Sequence, residues 1–338
     1  MITIEDRKKR WLDFYTGTIR TIIHMDINYD ETKTVFPSPD TMDKFFIQTV
    51  NRYHKLMDQI EWLDDDRIPY ISALMGSDIF AHAFGSPVVY PGNSNPFAVP
   101  MIFSAAELAK LKKPQLENST LMEVIEYGYK LQKEVPGTLM QLPDIQSPLD
   151  IAALIWDKTD FFMALYEEPN AVKDLIGMTS SLLMEFLDLW FRTFGNEFIA
   201  HYPDYYMPFG ITLSEDEIGS ISMEHFKEFS MPELIKLSEH FGGRIGIHCC
   251  ANAKHQWGLL KTIPGLVMLN LVQPDDVLRE ASSFFREGPC QMFSSDKVYD
   301  LGAKVVLYGN NLTKTEALST LAELRKYSNE FKLTKGKI

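Results

Sequence analysis

The chain has 338 residues, 45% of them hydrophobic and 23% charged, and a formal net charge of −13. That balance describes a globular protein with material for a large core, and the sign argues against a nucleic-acid or anionic-membrane partner and, more mildly, a polyanionic substrate. No apolar run reaches the roughly 18 residues of a membrane helix, the N-terminus MITIEDRKKRWLDFY lacks the apolar core of a secretory leader, and three cysteines make no disulfide framework, so a cytoplasmic location is expected.

Residues 1–17 read as an N-terminal helical extension, a lid or a bottom cap. TIRTIIHM (18–25) is β-branched and bounded by polar residues, which predicts a first strand. Met42, Phe45, Phe46, Val50, Tyr53, Leu56, Met57 and Ile60 keep the helical period. A second strand is expected over 67–74, with Asp78 just past its C-terminal end. Residues 91–115, rich in Pro, Asn and Ser, read as a long loop. A helix over 117–133 precedes a third strand at 137–142, which runs toward Asp144 and Gln146, two residues that share a face if the chain stays extended. Two helices are expected within 149–195, split near Glu168-Pro169-Asn170, then a fourth strand at 205–211. The acidic loop SEDEIG and a helix over 222–240 lead to a fifth strand at 244–247. Strands six to eight fall at 266–271, 290–293 and 304–308, with an amphipathic helix at 276–287. Thr313 to Glu316 form a capping box that opens the last helix.

Eight strands with helices between nearly all of them predict a single α/β domain over 1–338, a (β/α)8 barrel of the TIM type. Chemistry in such barrels sits at the C-terminal ends of the strands. Polar residues gather there: Asp78, Asp144 and Gln146, Glu215 to Glu217, His248 and Cys250, Asn270 and Gln273, Asn310 and Asn311.

The sharpest stretch is GRIGIHCCANAKHQW (243–257). Side chains alternate along a strand, so His248 and Cys250 point one way and Cys249 the other. An imidazole and a thiolate on one face suit zinc, and a site with so few protein ligands would stay open to substrate. The plainer alternative is a buried cysteine beside a hydrogen-bonded histidine. The acidic trio likewise reads as a solvated loop, and Asp78 as a helix cap.

ISALMGSDIFAHAFGSPVVYPGN resembles the uroporphyrinogen decarboxylase segment in which a strand ends in an F-S-D-I-L-like motif. EIGSISMEHFKEFSMPELIKL resembles that superfamily's S-P-x-x-F-x-E-F-x-x-P helix, and IHCCANAKHQWGLL the H-x-C-G-N signature of its zinc-dependent, corrinoid-linked methyltransferases. The resemblance runs from about residue 65 to the C-terminus and implies a barrel with its pocket at the strand ends. Asp78 matches the decarboxylase's catalytic aspartate. The decarboxylase's arginine-bearing N-terminal motif has no counterpart in TIRTIIHMDINYDETKTVF, so the resemblance favours the methyltransferase branch. It implies zinc on His248, Cys250 and a third group, drawn from Cys290, Glu215 or Asp216. Glu215 and Asp216 are otherwise expected, with Asp78, in catalytic roles, and Asp144, Gln146, Asn270 and Asn310 in substrate binding. The implied reaction moves a methyl group between a small thiol or methylated substrate and a corrinoid carried by a partner protein. A tetrapyrrole carboxy-lyase and a non-catalytic ligand-binding barrel stand as alternatives, and a homodimer is left open.

Overall fold

The computed structural model describes residues 2–29, 34–289, 291–294 and 303–334. Helix α1 (Ile4–Tyr15) is opened by a capping box, with Asp6 N–H donating to Thr3 Oγ1 and Thr3 N–H to Asp6 Oδ2. Its inner face buries Trp11, Phe14 and Tyr15, together with the whole of Arg7. That guanidinium donates to the carbonyls of Leu63, Asp65 and Arg67 and to the Asp65 carboxylate. A buried cation is tolerated because both terminal nitrogens donate to oxygens, one of them in a carboxylate. The extension is therefore part of the core.

Strand β1 (Thr21–Ile27) leads to α2 (Met42–Ile60), β2 (Tyr70–Ser72) and the short α3 (Ile79–Ala83). The stretch expected as loop contains half of a small hairpin, β3 (Val88–Val89) with β4 (Phe97–Ala98), and a one-turn α4 (Ala105–Leu108). Then come α5 (Leu121–Glu134), β5 (Leu139–Gln141), α6 (Pro148–Ile155), α7 (Lys158–Glu167) and α8 (Pro169–Phe194). Three helices thus fill 149–195 where two were expected. The extra break falls at Trp156, because Asp157 caps α7 by accepting from Thr159 and Asp160 N–H.

The fourth predicted strand is two pieces. After β6 (Phe198–Ile199), β7 (Tyr206–Met207) runs back antiparallel, and β8 (Ile211–Ser214) starts afresh. Gly210, at φ +74°, makes the bend, and a Cβ there would meet the Arg244 carbonyl oxygen. Next, α9 (Met223–His225) passes through a π-turn at Phe226–Ser230 into α10 (Met231–His240). The chain closes with β9 (Ile245–Cys249), α11 (Trp257–Leu260), β10 (Leu266–Leu271), α12 (Asp275–Phe284), β11 (Gln291–Ser294), β12 (Val305–Leu312) and α13 (Lys314–Thr334). Every predicted strand position holds β structure, and helices separate most of them. Cys290 and the 297–302 link lie outside the described residues.

The parallel strands form three arcs: β1-β12-β11, β2-β5-β6 with β7 on its edge, and β8-β9-β10. A parallel bridge from Gln146 to Ser214 links the chain beyond β5 to β8. Among the described residues the strands form separate ladders, and the fold is α/β with mostly parallel sheets. Strands β1, β8 and β9 are buried on both faces, as parallel strands under helices must be. No helix among the described residues is long and apolar enough to cross a membrane.

Candidate metal centre

Register builds the site. Ser214 pairs with His248, His248 with Asn270, and Gln146 bridges to Ser214. Neighbours in a parallel ladder share a face, so Gln146, Ser214, His248 and Asn270 form one row across the C-terminal ends of adjacent segments. His248 Nδ1 lies 2.6 Å from Asn270 Oδ1 and Nε2 lies 2.9 Å from Cys250 Sγ. An amide oxygen only accepts, so Nδ1 carries the proton and the Nε2 lone pair faces the thiol. The predicted alternation holds: Cys249, fully buried, points away.

Among the described residues, the acidic side chain that stands beside His248 and Cys250 is Asp216. Its carboxylate, His248 and Cys250 offer ligand atoms within 4.8 Å of one another. Asp216 Oδ1 also accepts the Cys250 N–H at 2.5 Å. What holds the acidic loop is Asp150, in the first turn of α6, a helix capped by Ser147. The buried Asp150 carboxylate accepts the N–H groups of Asp216 (2.7 Å) and Glu217 (3.0 Å). The acidic trio thus divides three ways. Glu217 pairs with Lys158 at 2.6 Å. Glu215 is fully buried, accepts from Ser230 at 3.0 Å and donates its N–H to the His248 carbonyl. Asp216 alone reaches the cluster.

Burial sets the charges. It pushes the Cys250 thiol up to about 11, with the Asp216 and Asp144 carboxylates adding to it. It lowers His248, against the Asn270 hydrogen bond and the Asp216 charge, which raise it. Burial also raises Glu215 to about 8, and it raises Asp150, beside the Glu215 charge. Around the rim, Tyr202 sets its ring edge-on to His248 at 4.5 Å and stays 45% exposed. Gln273 donates to the carbonyls of Cys250 and Ala251.

Asp144 and Gln146 do meet, at 2.8 Å, and His201 stands 3.9 Å from Asp144 and 2.9 Å from Ser214 Oγ. Burial raises Asp144 to about 6, and the charges of both Asp216 and Asp78 contribute. Asn310 is exposed on β12 and makes none of the hydrogen bonds that tie the cluster together. Asp78 precedes α3 without capping it. It lines a cavity of about 640 Å³ whose walls do not include Asp216, His248 or Cys250. Sequence reasoning missed Asp150, His201 and Tyr202.

Sulfur, nitrogen and oxygen donors gathered at the ends of parallel strands define an α/β protein with a candidate metal centre. Its sequence matches the family described as uroporphyrinogen decarboxylase (URO-D) over residues 51–315, more than three quarters of the chain, and the chain belongs to that family. No curated protein matches it. Among solved structures, a methyltransferase from Methanosarcina mazei has a similar fold, with a TM-score of 0.63 and 12% identity over 98% of this chain and 99% of that one.

Proposed function

We propose that this protein is a zinc-dependent methyltransferase built on a closed (β/α)8 barrel, moving a methyl group between a small thiol or methylated substrate and a corrinoid held by a partner protein in the cytoplasm. The observation that carries the reading is the convergence of Asp216, His248 and Cys250. The donor set fits the metal: one imidazole nitrogen, one sulfur and one carboxylate oxygen suit zinc and leave a position open. A zinc ion there would acidify an incoming thiol or polarise a methylated heteroatom.

The chain's own residues prepare that position. Asn270 fixes the His248 tautomer, leaving the Nε2 lone pair available. The Cys250 thiol keeps its proton until a cation arrives, so binding releases a proton. Asp150 pins the loop that carries Asp216. Glu215 supports the same loop from behind and does not touch substrate. Asp144, Gln146 and Tyr202 face the substrate at the rim.

The test is metal content and methyl transfer together. Protein loaded with zinc should hold about one ion per chain, lost in Cys250→Ser. It should methylate thiols from methylcobalamin, with the variant inactive. No zinc retained by the unaltered protein would overturn the reading. The decarboxylase alternative gains little, because among the described residues Lys130 is the one Lys or Arg lining the Asp78 cavity, too few for a polycarboxylate.

A further inference from the structure

The Asp78 cavity is lined by none of the three residues of the metal cluster. It lies where α2, α3 and α5 converge, beside the β3–β4 hairpin. Its volume of about 640 Å³ suits a small organic molecule. Asp78 is only 5% exposed, yet its Oδ1 has no hydrogen-bond partner. The oxygen packs over Gly76, where a Cβ would come within 2.4 Å of it. A buried carboxylate with an unmet acceptor is costly unless a cation answers it.

The walls make the same demand. Phe46 and Tyr127 stand edge to face, 6.3 Å apart at 81°, and Tyr90 adds a third ring. Asp78 and Glu123 lie near enough to Tyr90 for their charges, after burial, to raise its hydroxyl. Asp43, Glu123 and Glu126 rim the opening, and none forms an ion pair among the described residues. Among the described residues, the lining sets one ammonium, Lys130, and the imidazole of His82 against four carboxylates. Aromatic faces around an acidic floor attract a cation that carries apolar substituents.

We infer that this cavity binds a small alkylated ammonium ion, its charge against Asp78 and its alkyl groups against Phe46, Tyr90 and Tyr127. The inference does not rest on the metal reading, because no proposed ligand of the metal lines the cavity.

The test is calorimetry on the full chain freed of metal by chelation, so that zinc chemistry has no part in it. The probes are choline and 3,3-dimethylbutan-1-ol, which share a shape and differ in the charge. Choline should bind with a Kd of about 1 mM or tighter, and at least about tenfold more tightly than the neutral alcohol. Asp78→Asn should weaken choline about tenfold and leave the alcohol unchanged. Tyr90→Leu, at a residue 41% exposed, should weaken choline about threefold without affecting folding. Should Asp78→Asn fail to fold, Tyr90→Leu and Glu123→Gln carry the test, each expected to weaken choline. Equal affinity for the two probes, no heat at about 20 mM choline, or folded variants that bind choline as the unaltered protein does would each overturn the inference.

Discussion

The two polar regions of this protein handle their carboxylates in opposite ways. At the strand ends, Asp150 and Asp216 each accept backbone N–H groups, and His248 sits between Asn270 and Cys250 with both ring nitrogens engaged. In the helix-walled cavity, Asp78 has room on one side and no partner for Oδ1. The first arrangement fixes three donor atoms to within a few ångströms, which suits an ion that tolerates little error in geometry. The second leaves shape loose and charge unanswered, which suits a ligand that brings its own charge and fills space. Pre-paired groups mark a place where position matters. An unpaired one marks a place where charge matters.

That contrast can be tested by breaking it. The largest effect is expected from Asp150→Ala, which strands two N–H groups and frees the Asp216 loop. Zinc affinity should fall about 10- to 100-fold, read by competition with a chromophoric chelator, and stability should drop by about 1–3 kcal/mol in urea. Asp78→Ala should leave zinc affinity unchanged in the same titration.

Next comes Asp204, a carboxylate paired as fully as Asp78 is not. Burial opposes its charge, but Arg67 at 2.5 Å, His24 and the Tyr70 hydroxyl hold it down to about 2. A depressed value means that its stabilisation is complete above about pH 4 and lost as pH falls toward 2. Asp204→Asn should therefore cost about 2 kcal/mol at pH 7, and the difference should vanish near pH 2. A gap that persists in acid would mean that shape, not charge, sets the cost.

Asn270→Ala should then weaken zinc about tenfold by releasing the His248 tautomer, with the His248 ring resonances shifting in NMR spectra. The smallest effect has the opposite sign. Burial raises Asp78, so its ionisation costs stability as pH climbs through its folded value, and the cost is absent in acid. Asp78→Asn should stabilise the ligand-free protein by up to about 1 kcal/mol at pH 7, and not at all at pH 3. A loss of stability at pH 7 would show that the carboxylate is satisfied without a ligand.

What could be read from the sequence was what depends on local period. The two-residue repeat placed His248 and Cys250 on one face and Cys249 on the other, and 2.9 Å between Nε2 and Sγ is the direct result. Asp216 was visible only as one of three acids. Its separation from Glu215 and Glu217 comes from Asp150, 66 residues away in sequence, and no local pattern encodes that contact. His201 and Tyr202 were passed over because an antiparallel turn interrupts an otherwise parallel succession of strands. The cap at Asp157 was legible from its own neighbours, and the apolar run on both sides concealed it. The cavity around Asp78 belongs to helix packing, which residue types do not specify.

The similarity that assigns the family begins at residue 51, beyond α1 and β1. Yet β1 pairs with β12 over its whole length, and the carboxylates of Asp66 and Asp65 accept the N–H groups of Ile23 and Met25. A polypeptide cut to the recognisable segment would bare one edge of β12 and leave both carboxylates, with their bound cations Arg7 and Arg10 gone, stranded in the interior. It should aggregate on expression. For this protein, the stretch that betrays ancestry is shorter than the stretch its core needs.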